Sequence, residues 1–247
     1  MVDFIIQQAE DTPEEIENAE RDMLNALHQC AEGTKKILMS HAQTAMMLFE
    51  TAGVDNLGLY YLSLIQKALA NISAFEALIL AKNYSVALAL LRMQIDVYLK
   101  INLIMLVSNP EALAKHILED KPLKDYKDKK FPNGIKDTTI YYRMDKKRKD
   151  KWTSSMYRET SKYVHPSRRD AEQIIKNIDI INGSRLQKYT FFIEQNGYIP
   201  ITVGYLWNII KEFKEICHSI VDAFQESSNY LRDGILKQIR EDIANDQ

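Results

Sequence analysis

Residues that break regular secondary structure are scarce in this chain. It contains eight glycines and six prolines among its 247 residues. Because glycine and proline interrupt helices and mark turns, their scarcity favours long helices over many short strands. The apolar share of 46% and the charged share of 27% are typical of a globular protein that buries a substantial core. We therefore expect residues 1–247 to form a single helical domain.

The chain also lacks the short motifs that bind metals and nucleotides. It has two cysteines, Cys30 and Cys217, without a Cys-x-x-Cys pair, a His-Glu-x-x-His motif or a glycine-rich phosphate loop. We therefore expect no metal and no cofactor. The first residues have no basic stretch followed by an apolar one, and no run of about 18 uncharged apolar residues occurs. These absences predict a cytoplasmic protein with reduced thiols and no membrane span.

Helix signals are clear in the first half of the chain. Thr12, Pro13 and Glu15 combine a capping box with a proline at the first helical position, which is a strong helix start. Apolar residues then recur at helical spacing, which predicts a long N-terminal helix over 13–50. Two further apolar helices, separated by a short polar break, predict a central helical hairpin over 57–108.

The second half of the chain is more varied. A lysine-rich stretch that contains Pro122, Pro132 and Gly134 predicts a basic mobile loop over 119–151. Asn196-Gly197 between alternating segments is a hairpin signal. The predicted fold is thus mainly all-α, a bundle of long antiparallel helices with one small hairpin. Its remaining parts are motif helices over 152–180, the β-hairpin near 187–202 and C-terminal helices over 203–245. We also expect one helix from about Asp145 to Val164, and a division of the C-terminal part between a helix that carries Phe224 and a last short helix that carries Leu231.

Positive charge is concentrated in one part of the chain. Residues 121–169 hold 16 Lys and Arg but 6 Asp and Glu, although the whole chain has a net charge of −2. Such asymmetry indicates an anionic partner for the basic part. A solvated lysine-rich loop that docks on acidic helices of the same molecule is an equally good interpretation.

The third predicted helix carries three charged residues on one face. Arg92, Asp96 and Lys100 follow each other at four-residue intervals on a mostly apolar helix. One interpretation is an Arg92–Asp96 ion pair with Lys100 extending outward. The other is a polar stripe that faces the helix of the next motif, where Arg92 would hold an anion or orient a catalytic group. Either way, a charge on a buried helix requires a partner.

The segment 157–169 contains the strongest candidate site. Arg158 and His165 are seven positions apart, which is close to two helical turns and places both on one face. A histidine that changes charge near neutral pH beside a permanently charged arginine suits phosphodiester chemistry. Arg168 and Arg169 start the following helix and predict an anion site there. The alternative is a structural histidine that bonds the last carbonyls of its helix.

Two patterns in this part of the chain resemble a known family. Arg158, six residues and His165 resemble the Arg-x(4–6)-His signature of the HEPN superfamily. The combination of Arg92-x-x-x-Asp96 with Tyr157, Ser161 and the Val-His-Pro sequence at 164–166 resembles uncharacterised bacterial helical proteins. The resemblance covers roughly residues 57–180. It implies a helical bundle, a homodimer and, in many members, a metal-independent endoribonuclease of toxin–antitoxin or phage-defence systems.

The resemblance also implies roles for individual residues. Arg158 and His165 would be catalytic, with His165 as general acid or base and Arg158 stabilising charge on the phosphoryl oxygens. The expected supporting residues are Arg92, Asp96, Tyr157 and Ser161. The expected RNA and phosphate contacts are Arg168, Arg169, Lys162, Lys147 and Arg148.

Two other functions fit the same sequence. One is a non-catalytic helical module that binds a nucleotide, RNA or a protein partner through the same cleft, as some HEPN proteins do. The other is a scaffold whose basic loop engages an acidic partner such as an antitoxin. The first predicts binding without turnover. The second predicts that removal of residues 121–150 abolishes partner binding while any RNA activity remains.

Overall fold

The computed structural model describes residues 13–53, 55–162, 164 and 203–245. Over these ranges the chain is all-α, which confirms the helical part of the predicted fold. A short 3-10 helix covers Leu123–Asp125, and the described residues contain no strand beyond an isolated bridge between Asp128 and Phe131. The α-helices in these ranges are α1 (Pro13–Ala52), α2 (Asn56–Leu80), α3 (Tyr84–Leu106), α4 (Pro110–Leu118), α5 (Asp137–Arg148), α6 (Trp152–Ser161) and α7 (Val203–Asn245).

The turn between α1 and α2 depends on two glycines and two capping carboxylates. Gly53 has a φ of 82°, a conformation that glycine adopts without strain. A Cβ on Gly58 would lie 2.2 Å from the Phe49 ring, so glycine lets α1 and α2 approach closely. The start of α2 is capped by Asp55, which accepts a hydrogen bond from the Gly58 N–H at 2.7 Å. Glu111 of α4 accepts a second one, from the Leu57 N–H at 2.9 Å.

The core lies between α1, α2, α3 and α7. Because α3 has buried side chains on most of its circumference, it occupies the centre. Phe75 of α2 stacks on Phe213 of α7 with ring centroids 4.1 Å apart, and Tyr61 meets Phe224 edge to face at 5.4 Å. Such aromatic pairs stabilise a core beyond the apolar area that they bury. α7 is therefore part of the main bundle rather than an appendage.

Helix α2 is the one described helix with the length and apolar character of a membrane span, since it has 25 residues and a mean hydropathy of 1.3 over an 18-residue window. A core helix of the same composition meets the same criteria. α2 packs against α1, α3 and α4, with Tyr61, Ala68 and Ile72 fully buried. These contacts fit a core helix of the bundle.

The prediction of a loop over the whole of 119–151 is wrong, because its second half contains α5. The high lysine content concealed a short apolar stripe, in which Ile140, Tyr141 and Met144 are all buried. Their spacing places them on one face, toward α3 and α6. Lys149 then ends α5 in the left-handed conformation with a φ of 60°. The single helix expected from Asp145 to Val164 is therefore two helices, α5 and α6.

The first half of the predicted loop has no α-helix, but local hydrogen bonds fix its path. Asp128 accepts bonds from the backbone N–H groups of Ser108 at 2.5 Å, Lys130 at 2.7 Å and Phe131 at 2.8 Å. These bonds stabilise the charged carboxylate, and the pKa of Asp128 is lowered despite its partial burial. A Cβ on Gly134 would lie 1.9 Å from the Lys124 carbonyl oxygen, so this crossing requires glycine.

The C-terminal helices predicted over 203–245 are one continuous helix, α7. The expected division between Phe224 and Leu231 is absent. Ser227 lies in this interval and is fully buried, and its hydroxyl donates to the Ala223 carbonyl at 2.8 Å. A serine that is satisfied by its own helix does not interrupt it. The predicted β-hairpin near 187–202 lies outside the described residues.

Candidate functional site

Arg92 is the centre of a polar cluster between α3 and α6. The residue is 9% exposed, and its Nε donates a hydrogen bond to the Ser161 hydroxyl at 3.0 Å. The guanidinium carbon lies 3.8 Å from the centroid of the Tyr157 ring, which is a cation–π contact. Tyr157 and Ser161 are one helical turn apart on α6, so a single arginine holds both ends of that turn.

Two carboxylates flank the Arg92 guanidinium. Asp96, one turn further along α3, forms an ion pair with Nη1. Asp137, the first residue of α5, lies 3.9 Å from Nη2 through its Oδ2. The same Oδ2 accepts a hydrogen bond from the Tyr157 hydroxyl at 2.8 Å. Arg92 therefore connects α3, α5 and α6 through charged and hydrogen-bonded contacts.

Both interpretations of the charged stripe on α3 describe part of this arrangement. The expected Arg92–Asp96 ion pair is present, and Lys100 is exposed. Arg92 also faces α6, as the second interpretation required. Its guanidinium is occupied by side chains of the same molecule, so the geometry describes an anchor for α6.

Burial changes the proton affinity of the groups around Arg92. The pKa of Asp96 is raised, mainly because burial disfavours its charge, although the hydrogen bond and the charge of Arg92 oppose this effect. The negative charge of Asp137 raises it further. Burial, followed by the hydrogen bond to Asp137, raises the pKa of Tyr157 to about 12. At neutral pH Tyr157 is therefore protonated, and its hydroxyl donates a hydrogen bond to the Asp137 carboxylate.

Arg158 lies in the last turn of α6 and is exposed, in contrast to Arg92. Its Nε donates to the Ser154 carbonyl at 3.1 Å, within the same helix. Burial raises the pKa of Tyr141 on α5. The nearby charge of Arg158 opposes this effect. The described carboxylates form no ion pair with Arg158. The Arg158 side chain is thus exposed, on a helix whose Tyr157 and Ser161 are held by Arg92.

The basic residues predicted to bind RNA fall into separate groups. Lys147 forms an ion pair with Glu226 of α7. Arg148 lies 3.3 Å from Asp150 and stacks over Trp152, at the opposite end of α6 from Arg158. Lys162 is adjacent to Arg158 in the chain and forms an ion pair with Glu159 at 2.7 Å. His165, Arg168 and Arg169 lie outside the described residues.

Asp137 is the member of the cluster that sequence reasoning missed. It was assigned to the loop over 119–151, where a single acid among many lysines carries no signal. The helical spacing of Ile140, Tyr141 and Met144 would have indicated a helix that starts at Asp137. An acid in the first turn of a helix is also favoured by the helix dipole.

One group of possible metal ligands occurs among the described residues. His28, Glu32 and Glu76 bring their ligand atoms within 4.8 Å of one another. Lys35 already forms ion pairs with both glutamates, so a positive charge occupies this position. The group lies on α1 and α2, not on the helices that carry Arg92 and Arg158.

Comparisons with family models, with curated proteins and with solved structures find no match to this chain.

Proposed function

We propose that this protein is a metal-independent endoribonuclease of the HEPN type, acting as a toxin or a phage-defence component. The observation that carries the proposal is the difference between the two sides of α6. Tyr157 and Ser161 are fixed by Arg92, whereas Arg158 is exposed in the last turn of the same helix. An arginine on an anchored helix is well placed to bind a phosphate, because little further ordering is required.

In this proposal Arg158 stabilises the negative charge that develops on the phosphoryl oxygens. His165 follows in sequence and acts as general base on the 2′-hydroxyl and as general acid on the leaving oxygen. Arg92 does not touch the substrate and is a positioning residue, together with Asp96, Tyr157 and Ser161. Lys162, Arg168 and Arg169 bind the RNA backbone, and a second copy of the chain completes a homodimer.

Lys147 and Arg148 are expected to contribute less than these residues. Arg148 stacks on Trp152 and also donates to the Ser219 hydroxyl at 3.3 Å, so its contacts stabilise the packing of α5 against α7. Lys147 is about half exposed and pairs with an exposed glutamate. Such surface pairs stabilise a protein by roughly 0–1 kcal/mol. A phosphate can therefore replace Glu226 as the partner of Lys147.

A second candidate is favoured by the two carboxylates on Arg92. Because Asp96 and Asp137 already pair with this guanidinium, Arg92 has no free charge with which to stabilise a phosphoryl group. This arrangement fits a non-catalytic module that binds a nucleotide, RNA or a protein partner through Arg158 and its surroundings. Such a module binds without turnover.

Incubation of the protein with mixed cellular RNA in EDTA separates the two candidates. Arg158→Ala and His165→Ala are compared with Arg232→Ala and His218→Ala, which remove exposed residues of the same types from α7. Cleavage by the parent and by both α7 variants, with loss in the first two, supports the ribonuclease. Binding of RNA by the parent without cleavage supports the module. If the parent neither binds nor cleaves RNA, the ribonuclease proposal is wrong.

A further inference from the structure

The outward side of α5 carries an exposed tyrosine followed by two lysines at helical spacing. Tyr142, Lys146 and Lys149 are separated by four and three positions in the sequence, so they lie on one side of the helix. All three are exposed, and Tyr142 is 57% exposed. The opposite side of α5 holds Ile140 and Met144, which are buried. Single exposed tyrosines are common on protein surfaces, but this one has two cationic side chains in line with it.

The charge of both lysines is available to a ligand. No described carboxylate forms an ion pair with Lys146 or Lys149, in contrast to the two basic residues between them. Lys147 pairs with Glu226 of α7, and Arg148 pairs with Asp150. The outward side of α5 therefore keeps a positive charge that the rest of the molecule does not neutralise.

Ring contacts connect the exposed tyrosine to the candidate site on α6. The ring centroids of Tyr142 and Tyr141 are 4.7 Å apart, and those of Tyr141 and Tyr157 are 5.0 Å apart. Tyr157 is the residue on which Arg92 stacks, and it precedes Arg158 in the chain. The planes of the Tyr142 and Tyr141 rings are inclined by 62°, so the two rings do not form a parallel stack. The exposed part of the Tyr142 ring remains free to stack on a planar ligand.

Two hydrogen bonds join α5 and α6 into a fixed pair of helices. The Tyr157 hydroxyl donates to Asp137 at 2.8 Å, at the start of α5. Nearer the end of α5, the buried Asp145 carboxylate accepts a bond from the Ser154 N–H at 3.2 Å. The exposed tyrosine of α5 and the exposed arginine of α6 are therefore held at a constant separation. A ligand that contacts both needs little reordering of the protein.

The geometry points to a single-strand subsite on α5, in which Tyr142 stacks on an unpaired base of RNA and Lys146 and Lys149 bind the backbone phosphates. The inference rests on the proposed function, because the subsite holds a neighbouring nucleotide of the strand whose phosphate Arg158 binds. Stacking on an aromatic ring accepts every base, since each has a π-face. A duplex does not offer that face, because its bases are stacked on one another. The preferred substrate is therefore unpaired RNA of variable sequence.

Binding of an RNA that cannot be cleaved tests the subsite separately from catalysis. The probe is a fluorescent oligouridylate of about ten nucleotides, in which 2′-O-methyl groups block the attacking hydroxyl. Fluorescence anisotropy gives its Kd for each protein. Tyr142→Ala should raise this Kd by about 5-fold or more, because base–aromatic stacking is lost. Tyr142→Phe should bind like the parent, since the ring stacks and the hydroxyl does not. Tyr230→Ala is the matched control, because it removes an exposed tyrosine from α7.

Two further measurements separate stacking from charge. Tyr142→Ala should not change the binding of a duplex with the same length and chemistry. Lys146→Ala should reduce the slope of log Kd against log salt by about 0.7, which corresponds to one phosphate contact of a single strand. Lys67→Ala removes an exposed lysine from α2 and should leave that slope unchanged.

Equal Kd values for the parent and Tyr142→Ala would overturn the subsite, as would an equal loss of affinity in Tyr142→Phe or no binding by the parent. Urea unfolding checks the stability of each variant. If Tyr142→Ala failed to fold, the salt slope of Lys146→Ala would decide the result, and an unchanged slope would overturn the subsite.

Cleavage of unmodified RNA by the parent decides the proposed function independently. If the parent cleaves RNA but Tyr142→Ala binds the probe like the parent, the subsite is wrong and the ribonuclease proposal stands. If binding depends on Tyr142 but no cleavage occurs, the subsite stands and the protein is the non-catalytic module.

Discussion

The two sides of helix α6 use arginine in opposite ways. On the inner side, Arg92 is almost fully buried and contacts Ser161, Tyr157, Asp96 and Asp137. On the outer side, Arg158 is exposed and bonds one carbonyl of its own helix. A buried charge requires compensation on every side, and an exposed one remains available for a ligand. The comparison separates a residue that holds the site from a residue that would act in it.

The first prediction concerns the inner arginine. Arg92→Ala should lower the free energy of unfolding by about 2–4 kcal/mol, because it removes an anchor of α6 and leaves two carboxylates side by side. Urea unfolding at neutral pH measures the change. Arg92→Lys is the companion variant, since lysine keeps the charge but lacks the planar group that stacks on Tyr157. A loss below that of an ordinary surface substitution would contradict the anchoring role.

The second prediction isolates one contact of the inner side. Tyr157→Phe keeps the ring beneath Arg92 but removes the hydroxyl that donates to Asp137. We expect a loss of about 1 kcal/mol, which is typical of a hydrogen bond in a partly exposed position. Tyr230→Phe is the matched control, because Tyr230 is 47% exposed and the same change should leave stability unaltered. Equal losses of stability in both variants would show that the Tyr157 hydroxyl does not stabilise the cluster.

The third prediction uses the raised pKa of Asp96. A carboxyl whose pKa is raised on folding binds a proton more tightly in the folded state than in the unfolded state. Its contribution to stability is therefore present below the ordinary value of 3.8 and is lost as the pH rises through the raised pKa. Urea unfolding across this acid range should show that loss in the parent. In Asp96→Asn the corresponding slope should be absent, and an unchanged slope would contradict the assignment.

The smallest expected effect on stability belongs to the outer arginine. Arg158→Ala should change the free energy of unfolding by less than about 0.5 kcal/mol, as is usual for an exposed residue whose hydrogen bond goes to a carbonyl of its own helix. The same urea experiment that measures Arg92→Ala provides the direct comparison. If the two variants were equally destabilised, Arg158 would be a structural residue, and its loss of RNA cleavage would carry no catalytic meaning.

Strong local signals made much of the helical framework readable from the sequence. The capping box at 12–15 and the sustained apolar stripe predicted a helix close to α1, and the break near Asn83 separates α2 from α3. The prediction of a loop over 119–151 failed because lysine content outweighed three apolar residues at helical spacing. The prediction of a break in the last helix was wrong because Ser227 is buried where the apolar pattern weakens. Burial is a tertiary property that the local pattern does not contain.

The candidate site was partly predictable for a related reason. Arg92 and Asp96 lie on one helix, so their four-residue spacing was sufficient to predict that they pair. The contact of Arg92 with Tyr157 and Ser161 was one of two open interpretations, since spacing within one helix does not determine which helix packs against it. Asp137 lies on a different helix from Arg92, and no pattern in the sequence connects the two positions.

The sequence by itself determined the fold class, because scarce glycine and proline and a sustained helical period act locally. It also determined the charged face of α3. The packing of helices decided which arginine is buried and which carboxylates neutralise it. The physical reason is that burial and electrostatic pairing depend on distances in space, and a helix with several half-apolar faces can dock in more than one way.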